Sequence, residues 1–374
     1  MKIRAAVLER SGLPAPYAES RPLAIRSIEL APPGLGEVMI RIDAAGLCHS
    51  DLSVIDGNRP RPLPMALGHE AAGTVIETGA GVDDLVPGDQ VVCVFVPSCG
   101  ACLSCAEGRP ALCEPGASAN GAGTLLSGAR RLVCEGEPIN HHLGVSAFAT
   151  HATVSRRSLV KVDRDLDPAH AALFGCAVLT GVGAVFNGAQ VKPGTSVAVI
   201  GLGGVGLAAL LGARAAGAER IIAVDRVPAK LDLALSLGAT DAVVADADAA
   251  GRIRELTGGG VDQAIELAGA APALELAYWI TRRGGSVTTG GLPAPTAMLS
   301  LPAVSLVAEE KTIRGSYLGS CVPARDIPRF VRMFKRGILP VDRLLTHRMP
   351  LDAINEGFDL LRTGEAVRSV VIPA

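Results

Sequence analysis

Aromatic side chains are scarce in this chain: seven Phe, three Tyr and one Trp among 374 residues. Proteins that hold single-stranded nucleic acid stack bases on aromatic faces and carry a basic excess to meet the phosphates. Neither is present here. Lys and Arg number 35 against 37 Asp and Glu, a formal net charge of −2, with no block of like charges. Binding to nucleic acid or to an anionic membrane surface is therefore not expected. A secretion leader is also missing from the first ten residues, MKIRAAVLER, which carry charges at positions 2, 4, 9 and 10. Two uncharged windows, 171–191 and 195–213, are long enough to span a bilayer. Gly181, Gly183 and Asn187-Gly188 interrupt the first, and Gly201, Gly203 and Gly204 the second, so both read as buried elements of an α/β domain. These absences make a soluble, cytoplasmic protein the expectation.

Glycine and small aliphatic residues are what the chain has in abundance, and residues 196–225 put them in a specific order. Ser196 to Ile200 is a short apolar run of the kind that makes a buried parallel strand. Gly201, Gly203 and Gly206 follow at G-x-G-x-x-G spacing, then a helical run of small residues, then a second apolar run, Ile221 to Val224, ending in Asp225. Gly201 suits the tight turn, Gly203 lets backbone approach a pyrophosphate, and Gly206 allows close helix–strand packing. Gly204 and Val205 sit in the same turn, where free N–H groups at a helix N-terminus favour phosphate. Asp225, nineteen residues beyond Gly206, is placed to accept from the adenosine ribose hydroxyls. A 2′-phosphate would meet its negative charge, which predicts NAD rather than NADP.

The rest of the chain falls into two bodies. Residues 1–96 read as short β-segments punctuated by Pro32-Pro33-Gly34, Gly79-Ala80-Gly81 and Pro87-Gly88-Asp89, an all-β, barrel-like module. Residues 97–144 read as a loop-rich stretch. From about 168 to 291 strand and helix alternate with the rhythm of a doubly wound parallel sheet. After about 320 a helix at 325–336, a short strand near 344–349, a helix at 351–363 and a closing strand at 368–372 return to the first body. The expected domains are thus 1–177 with 321–374, and an inserted nucleotide domain at 178–320.

Nine cysteines, an odd and clustered set in a chain without a secretion signal, suggest metal ligation before disulfides. Cys99-x2-Cys102-x2-Cys105-x7-Cys113 places four thiolates on one short segment, enough to close a tetrahedron around zinc with no open position. An iron–sulfur site or two disulfides are the competing readings of that spacing. Cys48, His69 and Cys176 are scattered, and spacing alone does not join them.

The motifs GLCHSD (46–51), GHEAAGTV (68–75), PGDQVV (87–92), CGACLSC (99–105), FGCAVLTG (174–181), GLGGVG (201–206) and INEGFDLL (354–361) occur in that order. Together they make the chain resemble, over essentially its whole length, the zinc-dependent medium-chain alcohol dehydrogenases. The likeness is to the branch holding the animal and plant alcohol dehydrogenases and the glutathione-dependent formaldehyde dehydrogenases. It implies an NAD-binding Rossmann domain inserted into a GroES-like catalytic domain, with two zinc ions per subunit. Cys48, His69 and Cys176 would hold catalytic zinc, and Cys99, Cys102, Cys105 and Cys113 structural zinc. Glu70 matches a carboxylate that can approach the metal, Asp51 the group that orients the histidine ligand, and Ser50 the hydroxyl that takes the alcohol proton. Cys93, Cys134 and Cys321 match no ligand position.

The same resemblance assigns His49 and Arg368 to the pyrophosphate, Lys230 to the adenosine ribose and Thr180 to the coenzyme site. Phe95, Leu143 and Leu318 become candidate walls of the substrate pocket. Two departures stand out. Ser53 occupies the place of a relay histidine, which leaves proton exit to solvent or His49. The charges that would hold glutathione are missing or inverted in Asp56-Gly57-Asn58-Arg59-Pro60-Arg61 and Glu114-Pro115-Gly116. A primary aliphatic or aromatic alcohol or aldehyde is therefore preferred as substrate, with an S-hydroxymethyl or S-nitroso adduct of a small thiol as the alternative. The branch tends to dimerise, and an edge strand near Met298–Leu301 is the expected surface for a homodimer.

Overall fold

The computed structural model describes residues 1–373 and divides into two compact units. The first comprises Met1–Cys176, Val322–Arg329 and residues from Val341 onward; the second comprises Ala177–Cys321 and Phe330–Pro340. Residues 330–340, grouped above with the catalytic segments, thus pack with the second unit.

In the first unit, Lys2–Leu8, Leu23–Leu30, Leu132–Cys134, Glu137–His141 and Met65–Ala66 close a small barrel. A larger sheet orders Leu159–Val162, Gln90–Cys93, Glu70–Thr78, Glu37–Gly46, Ser369–Ile372 and His347–Pro350, with His151–Ser155 paired to Glu37–Gly46. The central strands Glu37–Gly46, Glu70–Thr78 and Gln90–Cys93 are buried along most of their length, and Val38, Ile40, Ile42, Val75 and Val91 join one core with Phe148 of the loop before His151–Ser155. Glu37–Gly46 and Glu70–Thr78 run antiparallel with Gly46 opposite Glu70 and Ala45 opposite Ala71. That register brings the residues just past Gly46 beside those just before Glu70.

The second unit is a six-stranded parallel sheet in the order Asp241–Val244, Arg220–Asp225, Ser196–Ile200, Val261–Glu266, Thr281–Thr289, Thr312–Gly315. This is the strand order of a doubly wound dinucleotide fold, whose ligands lie outside the carboxyl ends where the order reverses. Its core is apolar from sheet and helices alike, with Ile222, Val224, Ala264, Tyr278 and Val287 fully buried.

Two expectations fail. Residues 97–144 are not mainly loop: they contain the helix Glu114–Ala122 and the hairpin Leu132–Cys134/Glu137–His141 that completes the barrel. The helix has ordinary termination signals, Pro115 in its first turn and Gly123 in the left-handed conformation at its end. Its interior of Gly, Ala, Ser and Asn hides them. Met298–Leu301 forms no strand, and Met298 is 82% exposed. Pro293, Pro295 and Pro302 crowd that stretch and remove ladder donors. The edge of the sheet is Thr312–Gly315 instead. Among the described residues no helix is long and apolar enough to cross a membrane.

Candidate metal and coenzyme sites

Three backbone features of the first unit assemble one buried site. Cys48 precedes the helix His49–Ile55 just beyond the end of Glu37–Gly46, and His69 immediately precedes Glu70–Thr78, so the strand register makes them neighbours. Cys176 arrives from another direction. Gly175 packs on the strand Gln90–Cys93 so closely that a Cβ there would lie 2.3 Å from the Cys93 carbonyl oxygen. The ligand atoms of Cys48, His69 and Cys176 all lie within 4.8 Å of one another, and all three residues are buried.

The imidazole is oriented for ligation. Its Nδ1 stands 3.1 Å from Oδ2 of Asp51, whose side chain is fully buried. A carboxylate at that distance favours a proton on Nδ1, which leaves Nε2 with its lone pair. Nε2 is buried and has no hydrogen-bond partner among nitrogen and oxygen atoms. The two sulfurs titrate apart: Cys48 is held well below the usual thiol range, by Cys176 first and His69 after it. Cys176 is raised well above that range by Cys48 and burial. Two acids sharing a buried site cannot both ionise without a compensating cation. Arg368 supplies part of that compensation, its guanidinium buried, Nη1 donating to the Leu47 carbonyl at 3.0 Å and Nη2 3.6 Å from Oε2 of Glu70. Its pKa is raised by the Glu70 carboxylate and the two thiols. Soft sulfur donors, one imidazole and a surplus of buried negative charge fit a divalent zinc with a fourth position open.

Ser50, in the first turn of the helix His49–Ile55, is half-buried, and His49 is exposed. Ser53 is not available as an outer relay group because its hydroxyl donates to the His49 carbonyl at 2.8 Å. Phe95 sets its ring edge-on to His69 at 5.4 Å. Leu143 is buried on a left-handed turn (φ 51°) in the same unit, and Leu318 is buried in the second unit with the same φ. The residue that sequence reasoning missed is His142, whose Nδ1 lies 3.0 Å from the other oxygen of Asp51. Only its neighbourhood in space identifies it; the second of two adjacent histidines at the end of a short strand carries no signal of its own.

The four remaining ligands gather as their spacing requires, with the Sγ atoms of Cys99, Cys102, Cys105 and Cys113 within 4.8 Å of one another. Backbone N–H groups of Ala101 and Cys102 point at Cys99 Sγ, at 3.4 and 3.2 Å, and lower that thiol to about 6. Burial pushes Cys105 up to about 12 and raises Cys113. Cys113 Sγ also accepts from Cys99 N–H at 3.1 Å and Gly116 N–H at 3.4 Å, capping the helix Glu114–Ala122. All nine cysteines are free thiols, which sets aside the disulfide reading. Cys93 is fully buried, its thiol raised to about 12 by burial alone. Asn187 Nδ2 donates to Cys321 Sγ at 3.2 Å, a packing role.

The glycine turn of the second unit is a cradle of the expected shape. Gly201 has φ 89°, a Cβ on Gly206 would stand 1.7 Å from the Gly201 carbonyl oxygen, and a Cβ on Gly203 would meet no protein atom within 4 Å. The first two are demanded by the fold; the third leaves room for something else against the backbone. Gly204 and Val205 open the helix Gly204–Ala215, and Thr180 is buried in the helix Ala177–Gly183. Asp225 accepts from Leu202 N–H at 2.7 Å and Val227 N–H at 2.9 Å, which holds its carboxylate at the mouth of that turn. Lys230 lies half-buried on the helix Pro228–Leu237 that follows.

Residues 34–164 match the family model of the alcohol dehydrogenase GroES-like domain, and 204–336 that of the zinc-binding dehydrogenases. The chain is 38% identical to an S-(hydroxymethyl)glutathione dehydrogenase of Synechocystis, covering 99% of this chain and 100% of that one. The benzyl alcohol dehydrogenase of Acinetobacter calcoaceticus superimposes with a TM-score of 0.93 at 33% identity, over 100% of both chains. A Sinorhizobium meliloti chain solved with NADP bound superimposes with a TM-score of 0.80 at 26% identity, also over 100% of both chains.

Proposed function

Because this chain belongs to the zinc-dependent medium-chain alcohol dehydrogenase family, we propose that it moves a hydride between NAD and a primary alcohol or aldehyde, aliphatic or aromatic. The observation that carries the reading is the buried set of Cys48, His69 and Cys176 with its oriented imidazole. Zinc held there supplies a Lewis acid that makes a substrate hydroxyl acidic near neutral pH, and NAD supplies the hydride acceptor. A second zinc belongs to Cys99, Cys102, Cys105 and Cys113, where it staples a segment that lacks a core of its own.

The chain's own residues do the rest. Asp51 fixes the tautomer of His69. Arg368 offsets the negative charge of Glu70 and the thiolates, Glu70 is the carboxylate that can approach the metal, and Arg368 is assigned to the pyrophosphate as well, together with His49. Ser50 takes the proton of the substrate hydroxyl, and exposed His49 or solvent carries it away, since Ser53 is committed to the helix backbone. Gly201, Gly203, Gly204, Val205 and Gly206 take the pyrophosphate, Asp225 and Lys230 the adenosine ribose, and Thr180 the coenzyme beyond it. Phe95 and Leu143 of the first unit line the substrate's apolar part. The Asp225 carboxylate disfavours a 2′-phosphate, which is the argument for NAD.

Simple alcohols are preferred over thiol adducts because the charges suited to glutathione are absent or already engaged. Asp56 accepts from Asn58 N–H at 2.9 Å and Asn58 Nδ2 at 2.8 Å, and Arg61 Nη1 donates to the Asn120 carbonyl at 3.3 Å. The thiol-adduct reading is kept by the likeness to an S-(hydroxymethyl)glutathione dehydrogenase. A homodimer is the proposed assembly, supported by the exposed apolar side chains of Met298, Val304 and Val307 beside the edge strand Thr312–Gly315. NAD reduction over a panel of aliphatic, allylic and aromatic alcohols, and over formaldehyde with and without small thiols, tests the reading. Turnover of simple alcohols that is lost with zinc supports it. Activity only in the presence of a thiol selects the adduct.

A further inference from the structure

The Asp51 carboxylate has more partners than a histidine ligand needs. Its Oδ2 faces His69 Nδ1 at 3.1 Å. Its Oδ1 accepts from Gly68 N–H at 3.1 Å and faces His142 Nδ1 at 3.0 Å. All three side chains are buried, and the rings of His69 and His142 meet edge to face at 5.6 Å. Two imidazoles therefore meet one carboxylate, one at each oxygen, and of the two only His69 also joins the group with Cys48 and Cys176.

His142 is held in that pose by an unusual turn. Its carbonyl accepts from Val145 N–H at 3.0 Å and Ser146 N–H at 3.3 Å, and its own N–H donates to Ser146 Oγ at 3.1 Å. Leu143, Gly144 and Ser146 all lie in the left-handed region, with φ of 51°, 66° and 56°. Two of these are not glycine, in a region that L side chains rarely adopt and that the surroundings must hold in place. At 3.0 Å from a carboxylate oxygen, Nδ1 is the ring nitrogen placed to carry a proton. A leucine or phenylalanine would fill the same volume without this donor.

We propose that His142 is a positioning residue for the zinc ligand His69, acting through Asp51. With the Gly68 N–H and the His142 ring both at Oδ1, rotation of the carboxylate about its Cβ–Cγ bond is restrained, and Oδ2 stays facing His69 Nδ1. The imidazole is then presented to the metal in one tautomer and one orientation. Without His142 the carboxylate keeps a single backbone donor on Oδ1 and can turn away. The inference rests on the reading that Cys48, His69 and Cys176 hold zinc.

The test compares His142→Leu with His142→Asn in the zinc-loaded protein, because an Asn amide can place an N–H where Nδ1 was. Zinc release to a chromogenic chelator is followed together with the visible spectrum of the cobalt-substituted protein; the four-cysteine site serves as an internal control. Removal of an outer-shell partner typically costs 10–100-fold in metal affinity. The expected result is that H142L releases zinc from the three-ligand site about tenfold faster and shifts the cobalt bands. H142N stays within about threefold of the parent, and release from the four-cysteine site is unchanged. Should H142L fail to fold, His142→Phe, which fills the ring volume without a donor, replaces it. Parental release from H142L overturns the proposal, as does equal release from H142N and H142L, or loosening of both zinc sites together. A parent protein that holds one zinc per chain, on the four cysteines alone, overturns the underlying zinc assignment instead.

Discussion

Gly175→Ala is the smallest change that should reach the three-ligand site without touching a ligand. A Cβ at this position would lie 2.3 Å from the Cys93 carbonyl oxygen, with the Ala172 carbonyl oxygen and Val92 Cγ1 both at 3.3 Å. A carbon–oxygen contact needs about 3.2 Å or more, so backbone must part by roughly 1 Å on one side or the other. The Cys93 side is a strand held on both flanks: Cys93 pairs with Leu159 on one side and Ala71 on the other. The Gly175 side is a connection between the helix Pro168–Leu173 and the helix Ala177–Gly183. The softer side moves, and the next residue along it is Cys176.

Overpacking of this kind costs about 1–3 kcal/mol, which in a chain of this size lowers Tm by a few degrees. The larger effect is chemical. A sulfur displaced by about 1 Å cannot keep a metal–sulfur distance near 2.3 Å. On the proposed two-zinc, NAD-linked reading, elemental analysis of gel-filtered G175A should show zinc falling from two per chain towards one, with alcohol-dependent NAD reduction falling in proportion and far-UV circular dichroism unchanged. Full zinc content in G175A with a Tm within a degree of the parent would refute the argument, because it would show that the strand, not the ligand, absorbs the extra carbon.

Three further expectations follow from other parts of the molecule. Asp225→Ala removes a charged acceptor worth about 1.5–3 kcal/mol, so kcat/KM for NAD should fall about 10–100-fold while that for NADP does not; an unchanged NAD:NADP ratio would show that the carboxylate does not select the coenzyme. Cys113→Ser deletes one of four sulfurs and weakens the cap on Glu114–Ala122, so the variant should lose one zinc and become protease-sensitive within 99–123 while retaining the zinc at Cys48, His69 and Cys176, as measured by metal content and mapped cleavage. Asp89 lies at about 2, drawn down chiefly by Lys161 Nζ at 2.7 Å, with Val86 N–H and Arg164 contributing. Its folded pKa is below the unfolded one, so its stabilisation is present above about pH 4 and lost as pH falls through about 2; Asp89→Asn should cost about 1 kcal/mol in urea melts at pH 7 and nothing near pH 2.

The sheet of the second unit was legible because its signals are local. An apolar run followed by a glycine turn and a small-residue helix needs no distant partner, and strands 196–200 and 261–266 lie where periodicity puts them. The four-cysteine site is legible for the same reason, since its ligands span fifteen residues of one segment. The helix Glu114–Ala122 was obscured by composition: with few apolar residues to show a 3.6-residue period, the segment reads as loop. Met298–Leu301 failed differently, since an apolar run between prolines has the hydrophobicity of a strand but lacks its donors.

The three-ligand site shows where local reading ends. Cys48, His69 and Cys176 are separated by 21 and 107 residues, and nothing in their immediate neighbourhoods distinguishes them from buried thiols and a satisfied histidine. Resemblance joined them, and the structure gives the physical reason: the pairing of Gly46 with Glu70 brings the first two together, and a glycine against the Cys93 carbonyl delivers the third. The same logic separates two adjacent histidines. His141 Nε2 accepts from Arg131 N–H at 3.0 Å, and its ring, lowered to about 4 by burial, stays neutral in a structural role. His142, one residue on, turns to Asp51. No sequence pattern tells these two apart, because the difference lies in which neighbour a left-handed turn brings each ring to face.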